Sequence, residues 1–432
     1  MSWQDDYKSK LCTAAEAVKK VKSGDRIIVG HACGEPTALV DALVANSGAY
    51  HDVEIYHMVA MGKSPYCQPE YAANFHHNSN FLGGSTRKCI EEGRGDFTPC
   101  NFSDLPGLIR DGYIHPNVAF INVSPPDKHG WCSYGVSVDY TSTAAECAEI
   151  VIAQVNKHMP RTFGTFINVS DIDYIVEADQ PLIQLPSAQL TDVDKAIGAN
   201  CASLIKDGDT LQLGIGSLPD AVLFFLKEKH DLGIHSEMFS DGVVELVDAG
   251  VITNKKKNFM PGKFISTFLM GTDRLYNFVD DNPAVSMQPV DWTNDPRVIA
   301  QNDNLISINS CIQVDLSSQI ASDTAGLRQI SGIGGQMDFV RGANMSRGGK
   351  SIIAMPSTTG HGKISKIVPF IDQGGVIAAP RPDVNYIITE YGICECKGRT
   401  VKDRARQLIK IAHPDFRDGL IEEFEKRFKC KY

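Results

Sequence analysis

Strand-like and helix-like segments alternate along this chain, and the second half repeats the first. "SGDRIIVGHACGEPTALVDAL" is answered by "DGDTLQLGIGSLPDAVLFFL". Each places Gly-Asp before a strand, Gly after it and Pro near the opening of a helix. From Gly24 to Gly208 the offset is 208 − 24 = 184. Strand followed by helix, repeated, is the pattern of a parallel α/β sheet.

Two further segments repeat in the same order. "VAFINVSPPD" is answered by "LISINSCIQVD", which places Asn309 near Asn122 or Val123 at an offset close to 309 − 122 = 187. "DIDYIVEADQP" is answered by "DVNYIITEYGI", with Tyr174 and Tyr386 separated by 386 − 174 = 212. The repeats predict two related α/β domains with largely parallel sheets.

The Pro-rich, polar stretch "EADQPLIQLPSAQLTDVD" separates the two halves. Such composition is typical of a connection between domains. We therefore predict an N-terminal domain over residues 1–185 and a C-terminal domain over residues 186–432.

Composition excludes several classes of function. The 432 residues are 43% hydrophobic and 22% charged, within the globular range, and carry a net charge of −10. That charge disfavours nucleic-acid and anionic-membrane surfaces, so we expect small-molecule partners. "MSWQDDYKSK" lacks the features of a signal peptide, and no run of eighteen apolar residues is present. The sequence thus predicts a cytoplasmic protein that does not associate with a membrane.

Cysteine and histidine spacing gives no metal motif. The twelve cysteines lack paired zinc-type spacing, and the closest two, Cys394 and Cys396, flank one glutamate. Reduced cytosolic thiols account for them most simply. His76 and His77 have no nearby third ligand motif. No metal is predicted.

One carboxylate stands where a strand gives way to a helix. In "LGIHSEMFSDGVVELVDAG", Glu237 follows a short strand, and apolar residues at helical spacing run on to Gly250. The carboxyl ends of strands present side chains to ligands in such folds. The matching residue in the first half is Met58, so the carboxylate belongs to one copy. The alternative is a solvated glutamate at a strand end.

Two glycine-rich segments lie beside predicted strands. "GIGSLPDA" and "GIGGQMDFVRGA" let backbone N–H groups approach a phosphate or a developing oxyanion. The third glycine of a dinucleotide fingerprint is replaced by Pro219 in one and Met337 in the other, which disfavours a nicotinamide enzyme. Tight turns without a ligand remain the alternative.

Two other charged segments allow a functional and a structural interpretation. Glu390, in "TEYG", ends a strand as Glu237 does, with a solvated strand end as its alternative. The basic run Lys255–Lys257 is interpreted as a solvated loop, with contact to a cofactor phosphate as the alternative.

Long motifs across the chain resemble one family. They are "SEMFSDGVVELVDAGVI", "LQLGIGSLPDAV", "SGIGGQMDFVRGA", "IIAMPST", "ISKIVPF", "ITEYGI" and "RARQLIKIAHPDFR". Together they resemble the acetyl-CoA hydrolase/transferase family, most closely its 4-hydroxybutyrate CoA-transferase branch, which is butyryl-CoA:acetate CoA-transferase-like. The similarity runs from "CTAAEAVKKVKSGDRI" to "EEFEKRF" and implies the CoA-transferase fold.

The resemblance implies roles for particular residues. Glu237 would be the nucleophile, Gly334 or Gly335 would contribute an oxyanion-hole amide, and Asn309 and Glu390 would orient the reacting groups. A further three residues would lie where CoA binds: Gly214, Gly216 and Met355.

The implied activity is transfer of CoA between short-chain carboxylic acids, as in fermentation: 4-hydroxybutyrate or butyrate with acetate. The implied mechanism is ping-pong, through an acyl-glutamyl anhydride and a glutamyl-CoA thioester. CoA would be a substrate, with no tightly bound cofactor. A hydrolase with water as acceptor, or a non-catalytic sensor of CoA metabolites, is the alternative. A homo-oligomer, by default a homodimer, is expected.

Overall fold

The computed structural model describes residues 2–432. Two compact units divide them: residues 2–186 with Ile265–Thr293, and Ser187–Phe264 with Asn294–Tyr432. The division of the chain into domains at residues 1–185 and 186–432 stays a prediction. The structural units add that Ile265–Thr293 packs with the first of them.

The first unit is built on a sheet of seven parallel strands. They are β1 (Arg26–Val29), β2 (Val53–Tyr56), β3 (Phe75–Ser79), β4 (Gly95–Phe97), β5 (Val118–Val123), β6 (Ile150–Val155) and β7 (Tyr174–Glu177). Their order across the sheet is β4-β3-β2-β1-β5-β6-β7. β5 and β6 are buried almost throughout, as expected for strands covered on both faces.

The second unit contains a six-stranded sheet. Its strands are β8 (Thr210–Leu213), β9 (Gly233–Ile234), β10 (Leu305–Ser310), β11 (Lys350–Ala354), β12 (Tyr386–Thr389) and β13 (Gly392–Glu395). They lie in the order β9-β8-β10-β11-β12-β13, and all neighbours are parallel except the last pair.

Five strands of each sheet follow the same order, β2-β1-β5-β6-β7 in the first and β9-β8-β10-β11-β12 in the second. Tyr174 pairs with Ile152 and Tyr386 pairs with Ile352, so the two tyrosines occupy equivalent registers. The predicted pair of related α/β sheets is therefore confirmed.

Helices and short strands connect the sheet strands. The helices are α1 (Trp3–Lys10), α2 (Ala14–Ala17), α3 (Thr37–Ala45), α4 (Arg87–Glu91), α5 (Leu105–Arg110), α6 (Thr141–Cys147), α7 (Asp192–Ala202), α8 (Ser217–Phe224), α9 (Asp241–Asp248), α10 (Asp273–Val279), α11 (Val290–Thr293), α12 (Pro296–Ile299), α13 (Gln336–Met345), α14 (Val401–Ile411) and α15 (Pro414–Phe428). The short strands are Trp131–Ser133, Phe166–Asn168, Met238–Phe239, Phe264–Ser266, Phe268–Leu269, Val285–Met287, Gln313–Asp315, Ile320–Ala321, Thr324–Ala325, Arg328–Gln329, Thr358–Thr359, Ile364–Ser365 and Ile367–Val368.

Each unit has its own apolar core. In the first, Ile27, Leu39 and Phe120 are fully buried between the sheet and its helices. In the second, Ile387 and Phe424 belong to a cluster that joins β12 to α14 and α15. Burial of these side chains from water supplies the main favourable contribution to folding of each unit.

The first unit buries an ionisable carboxyl group, Glu35, which is 3% exposed. Its Oε2 accepts a hydrogen bond of 2.8 Å from the Gly62 N–H, and His57 Nε2 lies 4.0 Å away. Burial raises the pKa of Glu35 to about 7. Between its unfolded pKa and pH 7, the folded protein therefore holds a proton at Glu35 that the unfolded chain has lost.

This difference predicts a stability loss as pH rises. The ordinary pKa of a glutamate carboxyl group is 4.5. The stability contributed by neutral Glu35 is fully present below that pH and is lost as pH rises through about 7. Glu35→Gln removes the titration. Denaturant unfolding should show the free energy of unfolding of the wild type falling, relative to Glu35→Gln, by about 3 kcal/mol between pH 4.5 and 7.5. A constant difference between the two proteins would contradict the prediction.

Candidate functional site

Glu237 lies in the bend that follows β9, and its side chain is half-buried. The residue before it fixes this bend, because Ser236 Oγ donates to the Leu213 carbonyl at 3.1 Å and accepts from the Leu213 N–H at 3.2 Å. Ile234 pairs with Leu211, and Ile55 pairs with Ile27 in the first sheet. Glu237 and Met58 thus lie three residues beyond equivalent positions, as the repeat predicted.

Asn294 holds one oxygen of this carboxylate. Its Nδ2 donates to Glu237 Oε2 at 2.7 Å, and it lies 3.4 Å from Asp338 Oδ2. Asn294 is fully buried. A hydrogen bond to an ionised group is among the stronger ones, so this contact orients the carboxylate. Sequence reasoning missed Asn294, which lies 57 residues after Glu237 in the segment before α12 and carries no local motif.

The glycine-rich segment "GIGGQ" lies against the same carboxylate. Gly334 has φ +52°, a backbone conformation that favours glycine. Gly335 is the N-cap residue of α13, and a Cβ built on it would overlap both Glu237 Oε2 and Asn294 Nδ2. The first N–H groups of a helix have no carbonyl partners within the helix, and the positive end of the helix dipole favours negative charge nearby. The structure therefore brings Gly335 to Glu237, and a glycine is required there for steric reasons.

Glu390 follows β12 and is held by a serine. Its Oε2 accepts from the Ser357 N–H at 2.8 Å and its Oε1 from Ser357 Oγ at 2.6 Å. Burial lowers the pKa of the Lys366 ammonium, while the negative charge of Glu390 acts to raise it. Glu390 is thus hydrogen-bonded to Ser357 and interacts electrostatically with Lys366.

Asn309 bonds within the sheet. Its Nδ2 donates to Gln212 Oε1 at 3.1 Å and to Ser307 Oγ at 2.9 Å. The hydrogen bond from an asparagine to the Glu237 carboxylate comes instead from Asn294. A positioning role for Asn309 stays a prediction.

The residues predicted to lie near CoA occupy two different environments. Met355 is fully buried, with its Sδ 3.3 Å from Cys311 Sγ in the core of the second unit. Gly214 and Gly216 lie after β8, where a Cβ on either would meet no atom within 4 Å. Gly216 has φ +103° and is the N-cap residue of α8, so its conformation requires glycine. Their contact with CoA stays a prediction.

The basic run Lys255–Lys257 is not uniformly solvated. Lys255 and Lys256 are exposed, whereas Lys257 is buried at 4% exposure. The prediction of a solvated loop is therefore wrong for Lys257. Its ammonium reaches two backbone carbonyls, those of Ile234 and Lys263, instead of solvent.

Residues 2–432 contain neither a cluster of metal-binding side chains nor a helix suited to span a membrane. No group of three or more His, Cys, Asp or Glu side chains among them could hold a metal ion. Among the same residues, no helix combines the length and the apolar character that a membrane span requires.

The arrangement at Glu237 suits attack by a carboxylate on a carbonyl carbon. One oxygen is oriented by an amide donor, and the backbone at Gly335 lies beside it without an intervening side chain. Developing negative charge on a bound carbonyl oxygen is best stabilised by N–H groups fixed before reaction.

Comparison with known proteins identifies the family of this chain. The model of the acetyl-CoA hydrolase/transferase N-terminal domain matches residues 1–185, and that of the C-terminal domain matches residues 271–424. The 4-hydroxybutyrate coenzyme A transferase of Clostridium kluyveri is 58% identical over 429 residues, 99% of this chain and 100% of that protein. The butyryl-CoA:acetate CoA-transferase of Anaerostipes caccae is 40% identical, over 99% of this chain and 98% of that protein.

A solved structure supports the same assignment. The 4-hydroxybutyrate CoA-transferase of Porphyromonas gingivalis superposes with a TM-score of 0.85 at 40% identity, covering 99% of this chain and 100% of that one. The fold and these relatives confirm the prediction of an enzyme in the CoA-transferase class. The chain belongs to the acetyl-CoA hydrolase/transferase family.

Gly335→Ala tests the close approach to the carboxylate. The added methyl group would displace Glu237 or Asn294, and displacements of this size can lower rates by about 100-fold. We expect steady-state assays to show such a loss in kcat. Gly419→Ala, at an exposed position in α15 with open space around it, should leave kcat unchanged. Equal activity of both variants would contradict this geometry.

Asn294→Ala and Asn309→Ala distinguish the two asparagines. Loss of a hydrogen bond to a charged group costs about 1.5–3 kcal/mol, so kcat of Asn294→Ala should fall about 10- to 100-fold. Asn309→Ala should lose less than about tenfold, because its bonds are to Gln212 and Ser307. The kcat of the purified variants checks the order, and a larger loss for Asn309→Ala would reverse the assignment.

Proposed function

We propose that this enzyme moves CoA between short-chain carboxylic acids, with 4-hydroxybutyrate or butyrate and acetate as the acids, and that Glu237 is its nucleophile. The observation that carries the proposal is the Glu237 carboxylate, held by Asn294 against the backbone of Gly335. The names of the relatives from C. kluyveri and A. caccae support the choice of acids.

The reaction begins with attack of a Glu237 oxygen on the acyl-CoA carbonyl. The C–S bond breaks, leaving an acyl-glutamyl anhydride and CoA thiolate. The thiolate then attacks the glutamyl carbonyl, which releases the donor acid as its carboxylate and leaves a glutamyl-CoA thioester. The acceptor carboxylate reverses these steps: it displaces CoA to form a second anhydride, and the thiolate takes the new acyl group. Glu237 is regenerated, and the kinetics are ping-pong.

Each addition places negative charge on a carbonyl oxygen. An N–H group at Gly334 or Gly335 would donate to that oxygen, and removal of one such donor costs about 3 kcal/mol in other enzymes. The left-handed conformation of Gly334 and the N-terminal position of Gly335 on α13 support this role. Asn294 keeps the attacking carboxylate in place between steps.

The other predicted residues have supporting roles in this proposal. Glu390, fixed by both bonds to Ser357, would orient a reacting group, and Asn309 would do so from the end of β10. Gly214 and Gly216 offer backbone without side chains for the thiol end of CoA. Met355 would shape that region from the core.

CoA enters this scheme as a substrate rather than as a resident cofactor. We also propose a cytoplasmic homodimer. Support for the cytoplasm comes from the cysteines, all twelve of which are free thiols in the structure. Support for the dimer is the general prevalence of twofold symmetry among enzymes.

Mass spectrometry of the enzyme after mixing with butyryl-CoA alone tests the proposal. We expect a CoA adduct on the peptide that contains Glu237, lost on addition of acetate as acetyl-CoA appears. Glu237→Gln should form no adduct and show no transfer, because an amide is not a nucleophile at neutral pH. Glu228→Gln, an exposed carboxylate on the same unit, should behave as the wild type. Steady release of CoA without an adduct or dependence on acetate would favour the hydrolase instead.

A further inference from the structure

A buried lysine binds the strand end that carries Glu237. Lys257 is 4% exposed, and its Nζ donates to the Ile234 carbonyl at 2.9 Å and to the Lys263 carbonyl at 2.6 Å. Lys257 forms no ion pair among residues 2–432, and burial lowers the pKa of its ammonium to about 7. Burying an ammonium is unfavourable unless it gains strong hydrogen bonds. The two carbonyls accept such bonds and thereby stabilise the buried position of the Lys257 ammonium.

Both polar backbone groups of Ile234 are bonded to side chains of the loop 253–263. The carbonyl accepts from Lys257, and the N–H donates to Asn254 Oδ1 at 2.8 Å. Ile234 is the last residue of β9 and lies three residues before Glu237. These two bonds join the loop to the strand end at the point where the backbone turns toward the carboxylate.

The local backbone is adapted to this arrangement. A Cβ built on Gly233 would lie 2.5 Å from Lys257 Cγ, so the lysine chain passes across a position where only glycine leaves room. Asn254 is fully buried and has φ +56°, a left-handed conformation that is unusual for a residue with a side chain. Asparagine is among the few residues with a side chain that adopt this conformation readily, so the residue present suits the position.

We propose that Lys257 is a positioning residue, which holds Ile234 and thereby fixes Glu237 against Asn294 and Gly335. This inference rests on the proposed role of Glu237 as nucleophile. The hydrogen bonds of the Lys257 ammonium are to backbone carbonyls, so the residue acts through the strand end. Its neighbours Lys255 and Lys256 are exposed, so the three lysines of one run lie in different environments.

Replacement by methionine tests the proposal, with Lys256→Met as the matched control. Methionine keeps most of the apolar chain and removes the donors. Because a shift of about 1 Å at reacting atoms can cost about 100-fold, kcat of Lys257→Met should fall at least about tenfold while KM for acyl-CoA stays within about twofold. Lys257→Arg, which keeps the donors, should recover part of kcat. A kcat of Lys257→Met within about twofold of Lys256→Met would overturn the proposal.

Hydrogen exchange tests this inference independently of the proposed function. It also allows a test in Lys257→Arg if Lys257→Met does not fold. In Lys257→Arg, and in Lys257→Met where it folds, peptides over residues 232–240 should exchange faster than in Lys256→Met, while peptides from β12 remain unchanged. Unchanged exchange at 232–240 in every Lys257 variant would overturn the proposal that Lys257 fixes this segment, whatever the activity. Failure of Glu237 to form an adduct in wild-type enzyme would overturn the proposed function, while the exchange result still decides whether Lys257 fixes this segment.

Discussion

The hydrogen bond between Asn294 and the Glu237 carboxylate is the contact on which the account of the site depends. A glutamate at a strand end has several rotamers, and a nucleophile that samples all of them is poorly oriented for attack. Asn294 fixes one carboxylate oxygen, and Gly335 allows the N-terminus of α13 to approach it. Electrostatic stabilisation is strongest where such groups are fixed before the reaction begins.

The duplicated sheet explains why one carboxylate carries the proposed chemistry. Five strands of each sheet have the same order. Met58 lies three residues beyond Ile55, and Glu237 lies three residues beyond Ile234, its equivalent in the second sheet. The two copies therefore present the same backbone position with different side chains. In the second copy, the loop 253–263, which follows α9, supplies Lys257 and Asn254, and these bind both polar backbone groups of Ile234. The shared topology supplies the position of Glu237, and contacts particular to the second copy supply its orientation.

Much of the fold could be predicted from the sequence because local patterns determine it. Gly-Asp before a strand and Pro near a helix start identified equivalent elements. The repeated segments around Tyr174 and Tyr386 likewise identified two residues that have equivalent registers in the sheets. Asn294 could not be found this way, because its contact with Glu237 spans 57 residues and depends on how α12 and α13 pack. Lys257 looked like its two exposed neighbours, since sequence does not report that one of three adjacent lysines faces inward. The packing of Ile265–Thr293 with the first unit is likewise a property of tertiary contacts.

The central claim is that the carboxylate oxygens of Glu237 take part in bond formation. A single turnover of wild-type enzyme with butyryl-CoA and acetate labelled with ¹⁸O in both oxygens tests it directly. In the anhydride route, the acceptor carboxylate leaves one of its oxygens on Glu237 when CoA takes the acetyl group, so peptide mass spectrometry should find one ¹⁸O atom in the carboxylate of Glu237. Acetyl-CoA formed with no ¹⁸O on Glu237 would contradict the account and would require transfer that bypasses this carboxylate.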